Sequence, residues 1–178
     1  RSTGSSLRGG PAGPPETSAR CPGHCAWTST VRSARSSKTI AKTVCRMSLA
    51  YVDSSALVKL AVVEPETSAL EADVAARDGL VASVLVVVEC GRAARRAGSR
   101  RVLQRMEEVL QAVYLIDLNG SLLEEAARLG PASIRSLDAS HLATALSVDE
   151  SALEVITYDG RMAEAARANG LRVAQPGA

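Results

Sequence analysis

Residues 49–61, LAYVDSSALVKLA, decide the fold. LAYV is short and apolar and reads as a buried strand that ends at Asp53. SSALVKLA (54–61) carries apolar residues at helical spacing and reads as a helix. A strand that passes straight into a helix is half of a crossover unit, and the same alternation continues down the chain. Residues 66–77 (ETSALEADVAAR) predict a helix with Pro65 near its first turn. Residues 100–111 (RRVLQRMEEVLQ) predict an amphipathic helix, and VYLIDL (113–118) a strand. A helix over 120–129 is closed by Gly130-Pro131. Residues 137–148 predict a helix, LEVITY (153–158) a strand, 160–169 a helix ending at Asn169-Gly170, and LRVA a last short strand. Strands alternating with helices imply an α/β fold with a mainly parallel sheet and helices on both faces. Ligands in such folds bind beyond the carboxyl ends of the strands.

One stretch resists assignment. In LVASVLVVVECGRAARRA (80–97) the β-branched run argues for a strand, whereas Ser83 could cap a helix that starts there.

The chain has 178 residues, is 46% hydrophobic, and has room for one domain with a substantial core. No apolar run approaches the roughly 20 residues of a membrane helix. The net charge of +2 averages two unlike parts. Residues 1–46 hold eight Lys/Arg and one acid, Glu16, whereas residues 47–178 hold 13 Lys/Arg against 18 Asp/Glu. The first part is rich in Ser, Arg, Gly and Pro and shows no period, so disorder is expected there, or a non-native extension with Met47 as the natural start. Its Cys21-Pro-Gly-His24-Cys25 has metal-ligand residue types, but a lone knuckle without a second pair is a weak zinc signal. Three of four cysteines lie in that part and only Cys90 in the later one, which speaks against a disulfide-stapled domain and fits a reduced, cytoplasmic setting.

Four acids stand where carboxylates are out of place. Asp53 and Asp159 follow apolar strands, at the sheet's carboxyl edge. Glu89 ends the run Val84–Val88. Asp138, at about 100° per residue, falls within the stripe of Leu142, Ala145 and Leu146. A buried charge is costly unless it is paired, hydrogen-bonded or bound to a metal. Plainer roles stand beside the ligand reading: Asp53 and Asp159 can cap the helices that follow them, and Glu89 can pair with Arg92 or Arg96. His141 reads as a hydrogen-bonded core histidine. Oxygen ligands select Mg²⁺ or Mn²⁺, ions suited to phosphodiester hydrolysis. No phosphate-binding glycine loop, nucleophile elbow or zinc-protease motif competes.

YVDSSALVKL with Asp53, VVVECGRA with Glu89, SLDASHLATAL with Asp138 and VITYDGRM with Asp159 together resemble the PIN-domain family, and within it the VapC toxins of bacterial toxin–antitoxin pairs. The likeness runs from about Leu49 to Ala174, and the separations of 36, 49 and 21 residues between the acids suit it. It implies a three-layer α/β/α PIN domain over residues 47–178 and a Mg²⁺- or Mn²⁺-dependent endoribonuclease. It also implies Asp53, Glu89 and Asp138 as central catalytic metal ligands, with Asp159 as a fourth acid acting through water. Ser54 and Thr157 match polar positions lining such sites. The resemblance resolves the ambiguous stretch into a strand at 80–82 and a helix from Ser83. It further implies a cognate VapB-like antitoxin and a homodimer. The helices at 54–61 and 66–77 are candidates for the groove an antitoxin helix would fill.

An RNA substrate needs cations, and Arg92, Arg95, Arg96, Arg100, Arg101 and Arg105 supply a cluster after Glu89, although Arg105 can also pair with Glu108. The segment from residue 47 has no Phe or Trp, only Tyr51, Tyr114 and Tyr158, so backbone and shape should outweigh base stacking. The alternative from another class is a catalytically silent PIN-like module that binds RNA or protein; intact Asp53, Glu89 and Asp138 argue against it.

Overall fold

The computed structural model describes residues 48–148 and 153–178; the expectations for residues 1–46 lie outside that range. The elements run β1 (Leu49–Val52), α1 (Ser54–Ala61), α2 (Thr67–Ala75), β2 (Gly79–Ser83), α3 (Leu85–Ala97), α4 (Arg100–Gln111), β3 (Tyr114–Ile116), α5 (Gly120–Ala126), α6 (Ser136–Leu146), β4 (Glu154–Ile156), α7 (Gly160–Ala168) and β5 (Arg172–Ala174). The strands form one sheet in the order β3-β2-β1-β4-β5, every pair parallel.

Side chains alternate across a strand, and here they alternate between two cores. Ala50 and Val52 of β1, Ala82 of β2 and Ile156 of β4 pack with Leu57, Leu70, Val86, Cys90 and Met106 from α1 to α4. Tyr51, Val81 and Val155, each one position away, pack with Leu142 and Ala145 of α6 and Met162 and Ala166 of α7. The result is a three-layer α/β/α sandwich. Leu57, Leu70 and Leu142 are fully buried, and each such side chain contributes about 1.5–3 kcal/mol of transfer free energy.

The ambiguous stretch is resolved by burial. Ser83 still pairs in register with Ile116, so β2 runs through it and α3 begins at Leu85, two residues later than expected. Val86, Cys90 and Ala94 are buried at helical spacing while Val87 and Val88 face out. Packing of that stripe outweighs the few tenths of a kcal/mol per valine that helix propensity costs. Helix α5 ends at Ala126 rather than residue 129, because Arg128 N and Leu129 N turn to the carbonyls three residues back. No helix among the described residues is long and apolar enough to cross a membrane.

Strand order reverses direction at β1. From it the chain moves outward through β2 to β3, then returns to the other side of β1 for β4 and β5. The crevice between the carboxyl ends of β1 and β4 is therefore the switch point where ligands bind in such sheets.

Candidate active site

Asp53 leaves β1 at that crevice. It is 6% exposed, and its backbone N–H reaches Ile156 O of β4 at 3.3 Å. Its carboxylate caps α1, with Oδ1 accepting from Ala56 N at 3.1 Å and from Ser55 Oγ at 2.6 Å. Oδ2 accepts from Thr157 Oγ1 at 2.6 Å. Both hydroxyls are held in turn: Ser55 Oγ accepts from Tyr158 N at 2.8 Å and Thr157 Oγ1 from Asp159 N at 3.1 Å. Burial raises the Asp53 carboxyl above its ordinary pKa, and the hydrogen bonds from Ser55, Thr157 and Ala56 offset only part of that. The polar neighbours expected at the site were Ser54 and Thr157. Both are near it, but Ser55 is the serine that touches Asp53.

Glu89 lies on α3 and pairs with neither Arg92 nor Arg96 but with His141 of α6, whose Nε2 lies 2.9 Å from Oε2. His141 is a hydrogen-bonded buried histidine, as expected, and its partners fix its tautomer. The Glu89 carboxylate accepts from Nε2–H, and in the neutral ring Nδ1 then accepts from the Tyr51 phenol at 2.8 Å, while Tyr51 Oη accepts from Ser83 N at 3.2 Å. Burial pushes the phenol pKa far up and keeps that hydrogen in place. Burial also works against the Glu89 carboxylate, but the hydrogen bonds from His141 and Ser54 outweigh it and hold its pKa below the ordinary value.

Asp138 sits in the first turn of α6. Its Oδ2 is shut off from water and accepts no hydrogen bond. A buried carboxylate oxygen left in that state costs free energy unless a cation meets it. Asp159 caps α7, accepting from Arg161 N at 2.8 Å and Met162 N at 3.2 Å, and lies 3.6 Å from the Arg161 guanidinium. Burial opposes its charge, but those N–H groups and Arg161 hold its pKa low. Asp159, like Asp53, is the helix cap that its position in the sequence allowed.

All four acids line one cleft of about 350 Å³, together with Ser54, Ser55, His141, Arg135 and Arg161. The donor set is oxygen-rich and free of cysteine, which suits Mg²⁺ or Mn²⁺ in chemistry. The carboxylates border the cleft without converging: among the described residues no three His, Cys, Asp or Glu side chains enclose a common point. Asp53, Glu89 and Asp159 are instead drawn toward protein donors, and among the four Asp138 alone carries a buried oxygen without one. Arg135, Arg161 and the Tyr51–His141 link were not anticipated. Arg161 stands two residues after Asp159, a proximity legible in the sequence; nothing in the sequence joins Tyr51 to His141 across 90 residues.

The chain matches the PIN domain over residues 50–168 and belongs to that family. Among its relatives, Ribonuclease VapC46 of Mycobacterium tuberculosis is 39% identical over 137 residues, covering 73% of this chain and 99% of the relative. The fold is similar to the crystal structure of M. tuberculosis VapC20, a sarcin-ricin loop cleaving toxin (TM-score 0.56, 19% identity, 71% of this chain and 99% of that one). It is similar also to a chain of a toxin–antitoxin complex from Klebsiella pneumoniae (TM-score 0.55, 23% identity, 71% and 97%).

Proposed function

We propose that this protein is a Mg²⁺- or Mn²⁺-dependent endoribonuclease toxin, held in check by a cognate VapB-like antitoxin. The observation that carries the reading is the unpartnered, buried Asp138 Oδ2 in a cleft bordered by three further carboxylates at the switch point of the sheet. Asp53, Glu89 and Asp138 would hold the ion, with Asp159 reaching it through water. When bound, the ion supplies a water of lowered pKa and offsets charge building on the scissile phosphoryl group.

The chain's own residues do the positioning. Ser55 and Thr157 fix the Asp53 rotamer, and Tyr51 fixes the His141 tautomer that orients Glu89. Arg135 and Arg161 give the cleft positive charge on the α6 and α7 side, where it would meet a phosphodiester. A groove of about 610 Å³ between α1, α2 and α4, lined by Leu60, Val62, Val63 and Val102, suits an apolar helix of the antitoxin. Val63 there is 90% exposed. A homodimer in the cytoplasm belongs to the same reading.

The test is Mn²⁺ binding followed by paramagnetic resonance and by thermal unfolding. The full chain should bind the ion and gain stability with its concentration, and Asp138→Asn should lose both responses. Equal binding by the variant would remove the metal site from this cleft.

A further inference from the structure

The six arginines that follow Glu89 are dispersed by the fold. Arg105 pairs with Glu71 at 3.1 Å and Glu108 at 3.6 Å, and it lines the α1–α2–α4 groove together with Arg101. Arg92 and Arg96 instead stand three and seven positions after Glu89, on the same stripe of α3. Both are exposed, and among the described residues no carboxylate lies within ion-pair distance of either.

They line a second groove, of about 640 Å³, which shares Ser54, Ser55, Glu89 and Leu137 with the carboxylate cleft. Val88 from α3 and Leu137 from α6 form part of its wall, and they are 62% and 52% exposed. Lys59 borders it too, but that ammonium is engaged by Glu64 and Glu66 and lies 4.9 Å from the centroid of the Tyr158 ring. The groove's unspent cations are thus Arg92 and Arg96.

A cleft with four carboxylates repels a polyanion, so charge of the opposite sign must lie beside it. At 1.5 Å per residue the stripe carries Arg96 about 10 Å along α3 from Glu89. Arg92 and Arg96, one helical turn apart, stand about 6 Å from each other along the same axis, so the two can meet neighbouring phosphates of one strand.

We propose that this groove seats the single-stranded RNA next to the scissile bond, with Arg92 and Arg96 on successive backbone phosphates and one base against Val88 and Leu137. The assignment rests on the ribonuclease reading above and names the substrate path into that site. The base contact is apolar rather than stacked, since the one aromatic ring lining the groove is already faced by Lys59.

The test uses the full chain carrying Asp138→Asn, to stop cleavage, and a fluorescein-labelled 12-nucleotide single-stranded RNA titrated over a range of salt. Adding Arg92→Ala and Arg96→Ala should flatten the log affinity against log salt slope by about 1.4, at roughly 0.7 per phosphate contact. Arg92→Lys with Arg96→Lys should keep most of the slope, and Arg167→Ala on α7, outside both grooves, should leave it unchanged. An unaltered slope in the double alanine variant, or equal flattening by Arg167→Ala, overturns the assignment. Cleavage of bacterial RNA by the chain with Asp138 intact separates the two claims. Metal-dependent cleavage with an unaltered slope defeats the groove alone, whereas a flattened slope without cleavage keeps the groove and defeats the nuclease.

Discussion

Tyr51→Phe tests the link between the core and the site. Tyr51 is fully buried, and its hydroxyl accepts from Ser83 N at 3.2 Å and donates to His141 Nδ1 at 2.8 Å. Phenylalanine keeps the ring and its packing against Leu142 and Val155 but removes both of these hydrogen bonds. An orphaned buried polar group costs about 1–3 kcal/mol, so two of them, partly relaxed, cost about 2–4 kcal/mol. A domain of this size loses about 3–5 °C of Tm per kcal/mol, which puts the expected fall near 10 °C in differential scanning calorimetry. The site should respond as well. With Nδ1 unpaired, His141 is no longer bound to the tautomer that donates to Glu89, and the loss of one orienting hydrogen bond corresponds to about tenfold in rate. A Tm within 2 °C of the parent chain would refute the relay, because no such pair of buried groups could then depend on the hydroxyl.

Three further outcomes follow from the same geometry. Asp53→Asn should raise Tm at pH 7 in the presence of a chelator. Burial lifts the native carboxyl above its ordinary 3.8, so its ionisation weakens the fold above the native pKa, and the variant's advantage should vanish as pH falls toward that ordinary value. Glu89 and Asp159 have depressed pKa values and act in the opposite sense: they stabilise above their unfolded pKa, and that contribution is lost as pH falls through the native one, which pH-dependent unfolding of Glu89→Gln would reveal as a flatter acid limb. Gly98→Ala should cost about 1–2 kcal/mol in urea unfolding, since Gly98 closes α3 at φ +68° with open space around a Cβ, so the cost is conformational rather than steric.

Much of the scaffold was legible because local pattern and burial agree. The helices at 54–61 and 100–111 occur with those bounds, and the inward stripe of Asp138, Leu142 and Ala145 is where the helical period puts it. Residues 80–97 were not legible from propensity, because the valine run is scored as strand while the burial of Val86, Cys90 and Ala94 rewards a helix. The family resemblance supplied that answer, short of Ser83, which β2 retains for pairing with β3, and of Val84, which precedes the helix. The four acids were legible as misplaced charges. Their partners were not, since Ser55–Thr157 and Glu89–His141 are contacts across 102 and 52 residues that only the parallel sheet creates. The arginine cluster shows the same limit: one run in sequence becomes a pair beside the cleft and another pair in a different groove.

The central claim, a metal-dependent ribonuclease centred on Asp138, is tested most directly by incubating the full chain with total bacterial RNA in Mg²⁺, in Mn²⁺ and in EDTA, beside Asp138→Asn prepared identically. Discrete fragments that require the ion and are absent with the variant are the predicted result. Fragments that persist in EDTA or with Asp138→Asn, or intact RNA with a folded and ion-loaded chain, would contradict it.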